Sequence, residues 1–310
     1  MVGRIGEASV SLSADGTILA VGARRAVGVN GPRSGQVLVF RWNSSTWQPL
    51  GSTLDGAAVG DLFGYSLALS DDGTILAVGG WMNDAGGAAA GHVRVFEWTD
   101  TDWNQRGNDL LGSAPGDFFG DSVSLSSDGS ILACGADQFF NRNGAGFVRI
   151  FRWSDSAWQQ QGSTIMGLHS SLFGTSVSLS GDGSTVAVGD DGYDSAAVFR
   201  NEGNDWVQIG QTIRGAVRGD RFGWSLSMSF DGKTLLIGGY VNDSNGVDSG
   251  HALVFRLSPN EQEWMQVGQE LLGEAADNWF GHSTSISDDG NRIAIGAFRK
   301  DGFVRVYNLQ

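Results

Sequence analysis

The chain has 310 residues, of which 48 are glycine, 11 tryptophan and 1 cysteine, and its formal net charge is −14. Apolar residues at 41% exclude a disordered linker, and no apolar run nears the ~20 residues that a membrane-spanning helix needs. A single cysteine excludes an internal disulfide framework and a cysteine-rich zinc site, while so acidic a chain repels nucleic acid and anionic membranes.

The glycines are periodic. Asp-Gly pairs begin at Asp15, Asp72, Asp128, Asp182, Asp231 and Asp289. A Phe-Gly pair precedes five of them at fixed distance, at Phe63, Phe119, Phe173, Phe222 and Phe280, with Ile5-Gly6 as a worn first copy. Another glycine always follows, at Gly22, Gly79, Gly135, Gly189, Gly238 and Gly296. In the second copy, Ser66 to Ser70 alternates apolar and polar residues, the period of a half-buried strand. Asp72-Gly73 is a tight turn, Thr74 to Gly79 a second strand, His92 to Trp98 a third and Trp103 to Leu110 a fourth. No segment has helical periodicity.

Six such units predict an all-β fold, a six-bladed β-propeller of four-stranded antiparallel blades, because radial repetition leaves only short, protected edges. The blades fall at about 1–56, 57–112, 113–167, 168–215, 216–273 and 274–310 of one propeller domain. The last stops after a third strand, Phe303 to Leu309, and Met1 to Arg4 are too few to complete it. The expectation is a fragment of a longer protein, the alternatives being an open edge or one covered by another chain in self-association.

The Phe-Gly pairs, followed by Val21-Gly22-Ala23, Val78-Gly79-Gly80, Cys134-Gly135-Ala136 and Ile295-Gly296-Ala297, resemble the FG-GAP repeat, which builds the propeller heads of integrin α chains and many surface proteins. The resemblance implies a secreted or cell-surface recognition module. It departs from the family in lacking the Gly-Ala-Pro proline and in having six units rather than seven. The family's calcium loop, Asp-x-Asp-x-Asp-Gly, is here a Ser-x-Asp-Gly turn such as Ser126 to Gly129, and one carboxylate cannot supply the six to eight oxygens that Ca²⁺ takes. Integrin-type calcium binding is not expected.

Loops between the second and third strands vary in length, and insertions in repeat proteins collect on the binding face. Eight tryptophans recur in register and read as packing between blades. Trp81, Trp224 and Trp279 read as having no equivalents in other blades, and with Tyr65, Phe139, Phe140, Tyr193, Tyr240 and His282 they are candidates for a carbohydrate or protein ligand. Asp61, Asp117 and Asp220, each two before a Phe-Gly pair, either cap their own turns or, with Asp277, form a ring of carboxylates. The loops Asp243, Asn245, Asp248 and Asp190, Asp191, Asp194 are weak candidates for Ca²⁺ without the bidentate Glu of an EF-hand, solvated turns being the competing reading. His92 and His251 share one repeat position, no His pair has metal-ligand spacing and no Ser/His/Asp motif is present, so no catalytic residue is named. The leading expectation is a non-enzymatic recognition or adhesion propeller that binds a glycan or protein. The alternatives are a polysaccharide-acting enzyme with carboxylates at the mouth, and a structural module that assembles through its open blade.

Overall fold

In this computed structural model residues 8–139, 144–203, 205–300 and 302–309 are described. All of their regular structure is antiparallel β: six consecutive sheets, each ordered as first, second, third and fourth strand, the last with three. They are the blades of a six-bladed β-propeller, with no helix among the described residues. The sheets group into two compact units, residues 1–142 with 149–161, and 143–148 with 162–310.

Blade two illustrates the local rules. Ser66–Leu69, Ile75–Gly80 and His92–Trp98 pair in sequence, with Ser66 opposite Gly79 and Leu76 opposite Phe96. The Ser-x-Asp-Gly turn closes the first hairpin by its own side chains. Ser70 Oγ donates to Asp72 Oδ1 at 2.6 Å, that oxygen accepts the Thr74 N–H at 2.9 Å, and Gly73 takes φ +68°. Five other turns repeat the pattern, and the carboxyls of Asp15 and Asp289 are held below their usual range, first by the hydroxyls of Ser13 and Ser287. The serine that the sequence places before each Asp-Gly is thus a structural donor, and no calcium loop is built there.

The expected fourth strand is interrupted. In blade two it splits into Trp103–Gln105 and Leu110–Leu111, because Gly107 between them takes φ +82°, outside the strand region. In blade five the strand runs unbroken over Trp264–Leu272, with Gly268 at φ +72° and the register shifting between Ala252 and Val254 on its partner.

The second strands of blades two to five are buried on both faces, and the phenylalanines of four Phe-Gly pairs, Phe63, Phe119, Phe222 and Phe280, are wholly buried. Blades join at glycine. Ser66 Oγ crosses to the carbonyl of Gly120 in blade three at 2.8 Å, Ser9 reaches Gly64, and in the second unit Ser176 reaches Gly223 and Ser225 reaches Gly281. Strand-four tryptophans add a second joint: Trp103 Nε1 donates to Leu50 O and Trp264 Nε1 to Ile209 O, each in the preceding blade. In blade six the third strand, Phe303–Asn308, leaves Val304 and Val306 exposed.

Candidate functional site

The site grows from a bulge. In blades four, five and six the register between the first two strands shifts at the Phe-Gly pair, between Phe173 and Ser176, Phe222 and Ser225, and Phe280 and Ser283. A bulge re-aims the side chain it carries. Here the residues inside it are Thr175, Trp224 and His282. Beside them stand Asp191, Tyr240 and Phe298, each two residues beyond the strand-two glycine, and Arg221 and Trp279, each just before a Phe-Gly pair. Trp81, Trp224 and Trp279 therefore do have equivalents: they occupy shared repeat positions at which the residue type varies.

In the second unit these positions converge. Tyr240 lies 4.9 Å from Trp224 and 4.8 Å from Trp279, ring centre to ring centre. His282 stacks on Phe298 at 4.7 Å and 18°, and the Arg299 guanidinium sits 3.7 Å over the Trp279 ring. The Arg221 guanidinium donates to Asp191 Oδ2 at 2.9 Å, and Thr175 Oγ1 donates to Asp191 Oδ1 at 2.8 Å. The Asp191 side chain is 1% exposed and that of Arg221 37%, so a buried acid holds a half-exposed cation at the rim. Burial raises the Asp191 carboxyl, and also the Tyr240 phenol.

Asp190 is placed by a different rule. It pairs with Ser195 across the second and third strands, whereas the same position pairs Gly80 with His92 and Gly239 with His251. A Cβ on Gly80 would come within 2.7 Å of His92 Nε2, so the large residue can stand on only one strand of the pair. In blade four it is the aspartate. Burial raises its carboxyl to about 6, although Oδ1 accepts the Leu172 N–H at 3.0 Å. A raised carboxyl pKa withholds stability above that pKa and returns it as pH falls toward the unfolded value. Asp190→Asn, which keeps the acceptor, is expected to raise Tm at pH 8 and to have lost that gain at pH 4 in paired thermal melts.

The first unit has its own aromatic group: Tyr65 and Trp81 at 5.6 Å, Trp81 and Phe118 at 5.1 Å, with Arg24 lying 4.8 Å over Tyr65. The charge of Asp121, then burial, raises the Tyr65 phenol. Phe139 is exposed, and Phe140 lies outside the described residues.

Asp61, Asp117 and Asp220 are all buried. Asp61 accepts the Ala58 N–H at 2.7 Å, and Asp117 accepts those of Ser113 and Ala114 and the Gln138 amide; the three backbone bonds lie within their own loops. Asp220 accepts from the Asn242 amide, and burial raises its carboxyl. In blade six the matching position is Asn278, which accepts the Ala275 N–H, while Asp277 is exposed beside it. Asp220, Asp243 and Asp248 do line a surface cleft of about 580 Å³. Its loop is not a cation cage: Asp243 caps the Asp248 N–H, and Asn245 donates to the carbonyls of Gly273 and Glu274. Nor do Asp190, Asp191 and Asp194 converge, since Asp194 binds the Gly219 and Arg221 N–H groups. No group of three or more acids, histidines or cysteines among the described residues is placed to hold a metal ion.

The FG-GAP repeat family model matches residues 214–255, the segment that carries Arg221, Trp224 and Tyr240. This segment is an FG-GAP repeat. Its two half-motifs, Phe222-Gly223 and Gly238-Gly239, are the bulge and the strand end that build the site. No curated protein sequence matches the chain. Among solved structures it is similar to the periplasmic gluconolactonase PpgL of Pseudomonas aeruginosa, at 18% identity and TM-score 0.63, covering 98% of this chain and 84% of that one. A candidate 6-phosphogluconolactonase of Bacteroides uniformis aligns at 12% identity and TM-score 0.65, covering 97% and 84%. Hydrazine synthase of Kuenenia stuttgartiensis aligns at 12% and 0.54, covering 96% and 94%. These likenesses are of fold. They nevertheless overturn the expectation of a non-enzymatic adhesion propeller, which rested on the FG-GAP resemblance and the off-register aromatics: over nearly its whole length the chain has the architecture of propellers named as enzymes.

Arg221, Thr175, Phe298 and Arg299 were not expected from the sequence. Their signal was present in the columns flanking Phe-Gly and following the strand-two glycine, where residue type changes from blade to blade while spacing stays fixed.

Proposed function

We propose that the chain is an enzyme that hydrolyses a sugar-derived ester, with an aldonolactone as the substrate class, at the rim of blades four to six. The observation that carries this reading is the Arg221 guanidinium, half-exposed, fixed by the buried Asp191 and near the Tyr240 phenol, whose ring packs on Trp224. Aromatic faces suit the apolar face of a sugar ring, and a fixed guanidinium is a donor for the oxyanion that develops when water attacks a lactone carbonyl. His282 supplies the residue type that most often moves protons in such a step. The likeness to a gluconolactonase supports the same substrate class, and that protein's periplasmic setting supports a location outside the cytoplasm. The test is hydrolysis of gluconolactone and its 6-phosphate by the purified chain, followed by proton release. A rate well above buffer is expected, and no acceleration with any aldonolactone would sink the proposal.

A further inference from the structure

The rim is cationic in a chain that is otherwise strongly acidic. Only 20 lysines and arginines stand against 34 acids, yet Arg221 and Arg299 both lie beside the aromatic group of the second unit. Both are positioned by specific contacts. Arg221 is oriented from behind by Asp191, and Arg299 lies flat on Trp279, whose ring is 4.8 Å from Tyr240. Both guanidinium charges act on the Tyr240 phenol and lower its pKa, so both are close to one point on the rim; Asp191 and Asp248 act in the opposite sense. Asp191 is committed to Arg221 and Thr175, and its side chain is almost completely buried. Arg299 is exposed, and a guanidinium stacked on an aromatic ring keeps its edge donors facing outward.

We infer that this rim selects substrates with an anionic group on the sugar, a carboxylate or a phosphate, bound by Arg299 and Arg221 while Trp224 and Tyr240 meet the ring. The inference rests on the proposed site and adds its specificity. Arginine suits the task because its planar fork matches carboxylate and phosphate oxygens in a bidentate way. An acidic surface elsewhere repels the same anions, so the rim is where they collect.

The tryptophans of the rim report binding without turnover. Fluorescence titration compares glucose, glucuronate and glucose 6-phosphate on the intact chain, then on Arg299→Ala and on Arg152→Ala, an exposed arginine in the first unit. At least one of the two anionic sugars is expected to bind ten-fold or more tighter than glucose, and the glucuronate and phosphate arms tell which anion the rim prefers. Arg299→Ala should remove most of that preference and Arg152→Ala none, and raising the salt concentration should weaken the anionic ligands alone. Equal affinity for all three sugars, or a preference untouched by Arg299→Ala, would overturn the inference. Anion-selective binding without any lactone hydrolysis would leave the inference standing and remove the lactonase reading; hydrolysis that ignores the anion would do the reverse.

Discussion

Gly189→Ala is expected to destabilise the fold by about 3 kcal/mol, the upper part of the range for overpacking a filled interior. A Cβ at Gly189 would stand 2.0 Å from the carbonyl oxygen of Gly223 in the next blade and 2.3 Å from Ser176 Oγ. Neither atom can withdraw cheaply: one is backbone, and the other is bonded to that same carbonyl at 2.8 Å. Blades four and five would have to separate, and the phenylalanine core between them would lose contact. A loss of this size corresponds to a fall in Tm of roughly 4–5 °C in a chain of 310 residues. Gly60→Ala is the contrast. Gly60 has φ +88° but nothing within 4 Å of its built Cβ, so it should cost about 1 kcal/mol through backbone strain alone. Equal losses in the two variants, read by calorimetry, would show that the interblade joint is not the cause.

Arg221→Ala should lower kcat/KM for gluconolactone about 100-fold, the usual cost of one lost oxyanion donor. The loss should fall mainly on kcat, because the interaction strengthens as charge develops on the carbonyl oxygen. A second effect complicates the variant. Removing Arg221 leaves the Asp191 carboxyl buried with Thr175 as its remaining side-chain donor, and an uncompensated buried charge destabilises the fold. Burial already raises that carboxyl, so it should protonate more readily in the variant. The double variant Asp191→Asn with Arg221→Ala separates the effects, since it should recover stability but not turnover. Recovery of turnover in the double variant would assign Arg221 a structural role only.

The fold was legible because its signals are repeated. Each Asp-Gly, Phe-Gly and strand-two glycine reports a backbone requirement, and six copies in fixed spacing leave little freedom for another architecture. The break in strand four of blades one to four was visible as the first glycine after the strand-four tryptophan, but its conformation was not, since glycine tolerates extended backbone as well as φ +82°. The site was only half legible. Trp224, Trp279, Tyr240 and His282 stood out as aromatics against the repeat, whereas Arg221 and Thr175 are ordinary polar residues whose role depends on Asp191 from the neighbouring strand. The repeated aspartates carry the complementary lesson: at Asp61 and Asp117 the repetition marks a turn whose N–H groups the carboxylate caps, while the residues of the site stand where copies differ.

The serine-to-glycine joint has a consequence for how such a chain can change. Ser66 answers to Gly120 and Ser176 to Gly223, so the demands of a blade's seam reach its immediate neighbour and go no further. A whole blade removed between two identical seams would bring together a serine and a glycine already shaped for each other, whereas half a blade would leave both without a mate. The seam chemistry therefore makes the whole blade, rather than half of one, the unit that can be gained or lost without leaving a joint unmade.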